Sequence, residues 1–227
     1  MQKINDVIKL AIFDVNQTIF SFSEIESRFL KKKLNPKIVD LWFTSVLKEG
    51  FALSELDTYV DFKVIAMEEL KRTIYKQNLE VKKETLDYLF QGFKNLKAHS
   101  EIKESFKILK KNGIKIVTLT NGPKKNSIEL LRNNDLFSYV DDCFSIEDSK
   151  KWKPNPEPYL KIINKFNFFK SEVIMIACHS WDLFGAKKIG LKTGYIYNYE
   201  KFSNEYYPDF NYIGDNALNL VKQITNQ

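Results

Sequence analysis

The sequence predicts an α/β protein: a mostly parallel sheet covered by helices on both faces, interrupted after its first strand by an all-helical insertion. Two patterns predict it. From Glu101 onward, amphipathic helical stretches alternate with short β-branched runs, an order that gives right-handed crossovers and parallel strands. Before that, a single apolar strand is followed by residues 21–96, in which only the helical period recurs. At 227 residues the chain suits one large domain or a core with an insertion, and the boundaries expected are 1–20 and 97–227 for the core and 21–96 for the insertion.

The first strand is "LAIFD", ending in Asp14, with Thr18 four residues on. Ser23 with Glu26 three residues later reads as a capping box, followed by Ile25, Phe29 and Leu30 at helical spacing. The next helix starts with Asn35 as N-cap and Pro36 at its first position, carries the stripe Val39, Trp42, Phe43 and Val46, and is expected to end at Gly50. "DTYVDFKVIAMEELKRTIYK" and "KKETLDYLFQGFKNL" complete the helical block. Then "EIKESFKILKKNG" is a helix closed by Gly113, and "IKIVTLT" a strand. "KKNSIELLRNNDL", "PYLKIINKF" and "WDLFGAKKIG" supply helices; "YVDDCFSI", "EVIMIAC" and "TGYIY" supply strands.

Composition narrows the function classes. The hydrophobic share of 44% and aromatic share of 14% are globular values. Net charge is 35 − 29 = +6, but the lysines are scattered among acids, with no basic stripe interleaved with stacking aromatics, so a nucleic-acid partner is not expected. No apolar run is long enough to span a membrane or to serve as a secretory h-region. Two distant cysteines, Cys143 and Cys178, imply neither a disulfide framework nor a zinc site, and a cytoplasmic setting is expected.

Open parallel sheets bind ligands beyond the carboxyl ends of their strands. Those ends deliver Asp14, Asn16 and Thr18 from the first strand, Thr120 and Asn121 from "IVTLTNGP", and His179 and Asp182 from "IMIACHSWD". The loop "KKWKPNPEPY", stiffened by three prolines, carries Lys153. A carboxylate at such a place is costly unless paired, and Lys153 balances Asp14 and Asp182. A positioned, partly desolvated Asp is a competent nucleophile. Gly122 and Pro123, read as N-cap and first helical position, aim backbone N–H groups at an anion. A small anionic substrate is therefore expected.

The motifs "DVNQT", "LTNG", "KPNPEPY" and "HSWDLFGA", with "YVDF" in the insertion, resemble the haloacid dehalogenase superfamily and, within it, the type II L-2-haloacid dehalogenase group, over residues 9–200. The resemblance implies a Rossmann-like core with a helical cap and Asp14 as nucleophile. It would attack C2 of a 2-haloacid, expel halide with inversion and form an aspartyl ester, which water hydrolyses with Asp182 and Lys153 as activating pair. It also implies Thr120 and nearby amides on the substrate carboxylate, Tyr159 near the site, no metal, and a homodimer. Phosphatases of the superfamily carry a second Asp two residues after the nucleophile. Here that residue is Asn16, which cannot protonate a leaving group, and the last motif is short of acids for Mg²⁺.

Members of the dehalogenase group typically have Arg directly after the Trp of the first cap helices, where it helps receive the halide; this chain has Trp42-Phe43. They usually have an aromatic and a Gly where Asn16 and Gln17 stand, and Asn where His179 stands. Phe43 is equally a cap-core residue or a substrate wall, and His179 a loop hydrogen-bonder, an anion ligand or a proton carrier. Three readings follow: a metal-independent 2-haloacid dehalogenase, a Mg²⁺-dependent phosphatase of small phosphate esters, and a non-catalytic binding protein that kept the fold.

Overall fold

The computed structural model describes residues 7–80, 82–202 and 204–226. β1 (Leu10–Asp14) is apolar until its last residue, as a strand buried on both faces must be. A short β2 (Phe20–Ser21) leads into α1 (Ser23–Lys31), α2 (Ile38–Glu55), α3 (Phe62–Tyr75) and α4 (Lys83–Phe90), the last extended by a 3₁₀ turn at Gln91–Lys94. β3 (Lys97–Ala98) then pairs antiparallel with β2, so a two-stranded ribbon ties the chain entering the helical insertion to the chain leaving it. The alternating part follows: α5 (Ile102–Lys111), β4 (Lys115–Thr120), α6 (Lys124–Asn133), β5 (Asp142–Ser145), α7 (Pro156–Phe166), β6 (Val173–Ala177), α8 (Ser180–Lys188), β7 (Lys192–Ile196), β8 (Tyr212–Gly214) and α9 (Ala217–Thr225).

The six main strands form one parallel sheet in the order β5-β4-β1-β6-β7-β8. This is the expected α/β architecture, with the helical insertion following β1. The order reverses at β1, whose neighbours are β4 on one side and β6 on the other, so Asp14 stands at the topological switch point. Side chains alternate across the sheet. Ala11 and Phe13 join the core that includes the insertion, whereas Leu10 and Ile12 join the core with Tyr159 of α7 and Leu183 of α8. Asp14 shares the parity of Leu10 and Ile12, so it projects toward α7 and α8.

Several local expectations are corrected. Gly50 does not end its helix: α2 runs on to Glu55, and a Cβ at Gly50 would lie 2.3 Å from the Trp152 ring, so this glycine is a packing contact rather than a stop. The capping box at Ser23 does not form, because β2 ends at Ser21 and the helix begins at once. Ser21 Oγ instead accepts from the Ser23 N–H at 3.1 Å. Asn35 accepts from Lys37 N–H at 3.0 Å in a turn ahead of α2, whose N-cap is Lys37. Pro123 is the N-cap of α6, one position later than read. The β2–β3 ribbon, β8 and α9 were not anticipated.

Gly185 of α8 matters more for the site, since an added Cβ would meet the Pro154 carbonyl oxygen at 2.6 Å. Backbone cannot yield as a flexible side chain does, so Gly185→Ala is expected to cost about 1–3 kcal/mol. At roughly 2–4 °C per kcal/mol for a chain this size, calorimetry should show a lowered Tm. The same push would displace Lys153.

Candidate active site

Asp14, Lys153 and Asp182 meet beyond the end of β1. Lys153 Nζ donates to Asp14 Oδ1 at 2.8 Å, to Asp182 Oδ2 at 2.5 Å and to the Leu119 carbonyl at 3.1 Å. All three donors of a fully buried ammonium are thereby used, the condition for a buried charge to be tolerated. The lysine is held in place from behind, because its backbone N–H donates to Asn121 Oδ1 at 2.9 Å. Asn155 caps α7 by accepting from Glu157 N–H, and Pro156 occupies the first helical position, so the proline-rich loop is fixed at its far end too.

Thr18 Oγ1 donates to Asp14 Oδ2 at 2.7 Å and accepts from the Cys178 N–H at 3.0 Å, joining the ends of β1 and β6. Tyr159 donates to Asp182 Oδ1 at 2.5 Å. Tyr159→Phe would leave that buried oxygen unpaired, at a cost of about 1–3 kcal/mol, and is expected to lower the urea midpoint accordingly. Thr120 Oγ1 accepts from Gly122 N–H at 2.9 Å, and Ser145 Oγ donates to the Gly122 carbonyl at 2.7 Å, which pins the loop after β4. Among the described residues, the buried Asn121 Nδ2 has no hydrogen-bond partner.

His179, buried between β6 and α8, places Nδ1 3.3 Å from Asp14 Oδ2 and Nε2 3.0 Å from Gln17 Oε1. Its ring stacks on Trp181 at 5.4 Å, meets Tyr199 edge-on at 5.4 Å, and lies 6.2 Å from Phe43. Phe43 also packs against Phe22 at 4.9 Å, so it is at once part of the insertion's core and a wall beside His179. Trp42 is turned away, donating Nε1–H to the Ala66 carbonyl at 2.8 Å and packing on Phe93.

Burial alone would raise the Asp14 carboxyl, but the Lys153 charge and the hydrogen bonds from His179 and Lys153 overturn it and hold the group well below its ordinary 3.8. For Asp182, burial outweighs Lys153, and its carboxyl is raised. Burial would lower Lys153, yet its two carboxylates raise it. Burial likewise opposes the charged form of His179, but the Cys178 sulfur and Asp14 push it well above its ordinary value.

Two cavities flank the cluster. One of about 390 Å³ lies between insertion and core, with Asn16, Thr120 and Gly122 at its floor, Phe62 and Phe93 on its wall, and Lys63, Lys94 and Lys125 around it. The other, about 230 Å³, reaches Gln17, Thr18, Cys178 and Tyr199. The residues to which the sequence alone assigns no role at the site are Gln17 and Cys178. Gln17 adopts the left-handed region at φ 64°, a conformation uncommon for a side chain of its length and a backbone feature that sequence alone does not display. Cys178, which in the sequence implies neither a disulfide nor a zinc site, contributes the backbone N–H that orients Thr18.

Residues 8–190 match the family model described as haloacid dehalogenase-like hydrolase. The chain is 29% identical over 153 residues to the (S)-2-haloacid dehalogenase 4A of Burkholderia cepacia, covering 67% of this chain and 66% of that one. It is 24% identical over 193 residues to the (S)-2-haloacid dehalogenase of Pseudomonas sp. strain YL, covering 84% and 83%. The L-2-haloacid dehalogenase of Xanthobacter autotrophicus, with chloropropionic acid covalently bound, superposes with a TM-score of 0.87 at 17% identity, covering 97% of this chain and 100% of that one; it shares the fold.

Proposed function

Since this chain belongs to the haloacid dehalogenase-like hydrolase family, we propose that it hydrolyses small 2-haloacids through an ester formed on Asp14. The observation that carries this reading is the buried Asp14 carboxylate at the switch point of the sheet, kept anionic by Lys153 and oriented by Thr18. An anion so held is a nucleophile rather than a proton donor. Its attack on C2 forms a C–O bond as the C–halogen bond breaks and the halide leaves with the bonding pair. Asn121 Nδ2–H, buried and unpartnered, supplies a donor for the substrate carboxylate or the halide. Water attack on the ester carbonyl then returns the 2-hydroxy acid and the Asp14 carboxylate.

In this reading residues 1–20 and 97–227 form the catalytic core and 21–96 the cap, with substrate entering through the cavity between them, whose lining carries three lysines against Asp87 and Glu129 and so a small positive excess for an anion. Mg²⁺ does not fit the residues present. Asp182 spends both oxygens on Lys153 and Tyr159, and Asn16 stands where a second acid would be needed. Among the described residues, the group of Asp14, Cys178 and His179 is a mixed oxygen, sulfur and nitrogen set, whereas Mg²⁺ takes oxygen ligands. The reaction is therefore read as cofactor-independent. Among the described residues no helix is long and apolar enough to cross a membrane, and a cytoplasmic homodimer is the proposed setting.

The test is halide release from racemic 2-chloropropionate, chloroacetate and fluoroacetate in EDTA. Release from at least one of them, unaffected by the chelator, is expected. Absence of halide from all three, together with Mg²⁺-dependent phosphate release from a phosphate ester, would replace this reading with the phosphatase one.

A further inference from the structure

We propose that His179 is the general base of ester hydrolysis and that its proton is released by esterification of Asp14 itself. This rests on the ester intermediate proposed above. The hydrogen-bond geometry sets the starting state. Nδ1 faces a carboxylate oxygen, which only accepts, and Nε2 faces the Gln17 amide oxygen; in this proposal both ring nitrogens therefore carry hydrogen and the ring starts as an imidazolium. An imidazolium cannot take a proton from water. The same contact makes the ring sensitive to what happens at Asp14.

When Asp14 attacks the substrate, its negative charge leaves with the halide and the oxygen facing Nδ1 becomes part of a neutral ester. What remains around the ring is burial, which favours the neutral form, and the Cys178 sulfur, which favours the charged one. The ring is buried among Phe43, Trp181 and Tyr199, and the Lys153 ammonium lies 5.9 Å from the centre of the Trp181 ring. The other titratable groups facing it are Cys178, whose sulfur is 3.7 Å from Nδ1, and Tyr199, which donates to Asp40 of α2 at 3.3 Å. With the Asp14 anion gone, the burial that opposes the charged ring is no longer outweighed from that side. Gln17 keeps its hydrogen bond from Nε2–H and so selects the tautomer with its lone pair on Nδ1, pointing at the ester. This is the nucleophile, base and orienting-group arrangement with water as the nucleophile.

The step balances. After halide departure, His179 releases one proton to solvent. A water then gives a proton to Nδ1 as its oxygen bonds to the Asp14 carbonyl carbon. The tetrahedral intermediate collapses, the hydroxyl proton passes to the departing alkoxide, and the products are the 2-hydroxy acid, the Asp14 carboxylate and the imidazolium from which the cycle began. Asp182 is poorly placed for this task, since it is fully buried with one oxygen on Lys153 at 2.5 Å and the other on Tyr159 at 2.5 Å.

The experiment has two arms. Nitrogen-15 NMR of the histidine side chains is simple here, because the chain has only two histidines. At pH 7 the wild-type His179 ring should show two protonated nitrogens, and Asp14→Asn, which removes the charge as an ester does, should show a neutral ring bare at Nδ1. An identical ring charge in both proteins would overturn the proposal, whatever the substrate proves to be. In the second arm His179→Gln, which keeps a donor toward Asp14, is mixed with 2-chloropropionate. It should release about one equivalent of halide per active site and then stall, with the Asp14 peptide gaining the mass of the ester. Ester hydrolysis should slow by about 10²–10⁴-fold. Wild-type turnover by the variant, or loss of the first halide equivalent along with turnover, would overturn the role. A wild-type protein that releases no halide would instead sink the dehalogenase reading, and the NMR arm would still decide the coupling between Asp14 and His179.

Discussion

Asp14→Asn is expected to reduce halide release by at least about four orders of magnitude while leaving the fold intact. Loss of a nucleophile that acts within an organised site removes nearly all of the chemical step, leaving only what binding contributes. Asn is close to isosteric with Asp, and Lys153 remains paired with Asp182 at 2.5 Å, so the buried ammonium is not orphaned. The check is the initial rate of halide release beside a thermal melt. A variant with wild-type rate would show that the bond to carbon is made by another group.

Lys153→Met carries the largest expected loss of stability. Removing one partner of a buried ionic cluster leaves uncompensated charge, and the cost is on the order of 3–5 kcal/mol. Asp182 would be left buried with no cation beside it, and Asp14 with only His179. The pH dependence has a definite sign. In the wild type the Asp14 carboxyl lies below its ordinary 3.8, so its contribution to stability is present above about pH 4 and is lost as pH falls through its folded value. Without Lys153 the Asp14 value rises, held down only by His179, and the Asp182 carboxyl, already raised by burial, rises further above its unfolded value. The Asp182 carboxyl then opposes folding increasingly as pH climbs past 4. The deficit of the variant should therefore be largest at neutral pH and shrink toward pH 4, as measured by urea midpoints across that range. A deficit that grew on acidification would show that Lys153 does not set the ionisation of Asp14. Activity should vanish at every pH, because the nucleophile would be protonated or misplaced.

The architecture was legible because each signal for it is local. An apolar run broken by one Asp gives β1, and repeated exchange of the 3.6-residue and strand periods gives the parallel sheet. The chemistry-bearing side chains at the strand ends were legible for the same reason, since a parallel sheet carries its C-terminal ends to one edge. Failures occurred where the deciding contact is distant in sequence. Gly50 is a helix stop by composition, yet Trp152, about a hundred residues on, fills the space above it, so the helix continues. The Phe20–Ser21 and Lys97–Ala98 strands are two residues each, too short for any period, and exist because they pair with each other. β8 and α9 follow a stretch of mixed aromatic and polar residues in which no alternation stands out.

The site divides in the same way. The residue types, their order along the chain and the pairing of Lys153 with two carboxylates follow from the sequence alone, because an acid at the end of a buried strand needs a cation and the chain provides few that a rigid loop could deliver. What only the tertiary structure decides is which faces meet: Phe43 belongs both to the insertion's core and to the wall beside His179, Trp42 does not face Asp14, and Asp182 is closed off by Tyr159. Above all, the contact between His179 and Asp14 joins residues 165 positions apart, and Gln17 meets the ring's other nitrogen. Side-chain ionisation depends on burial and on partners within a few ångströms, and those are set by packing rather than by neighbours along the chain.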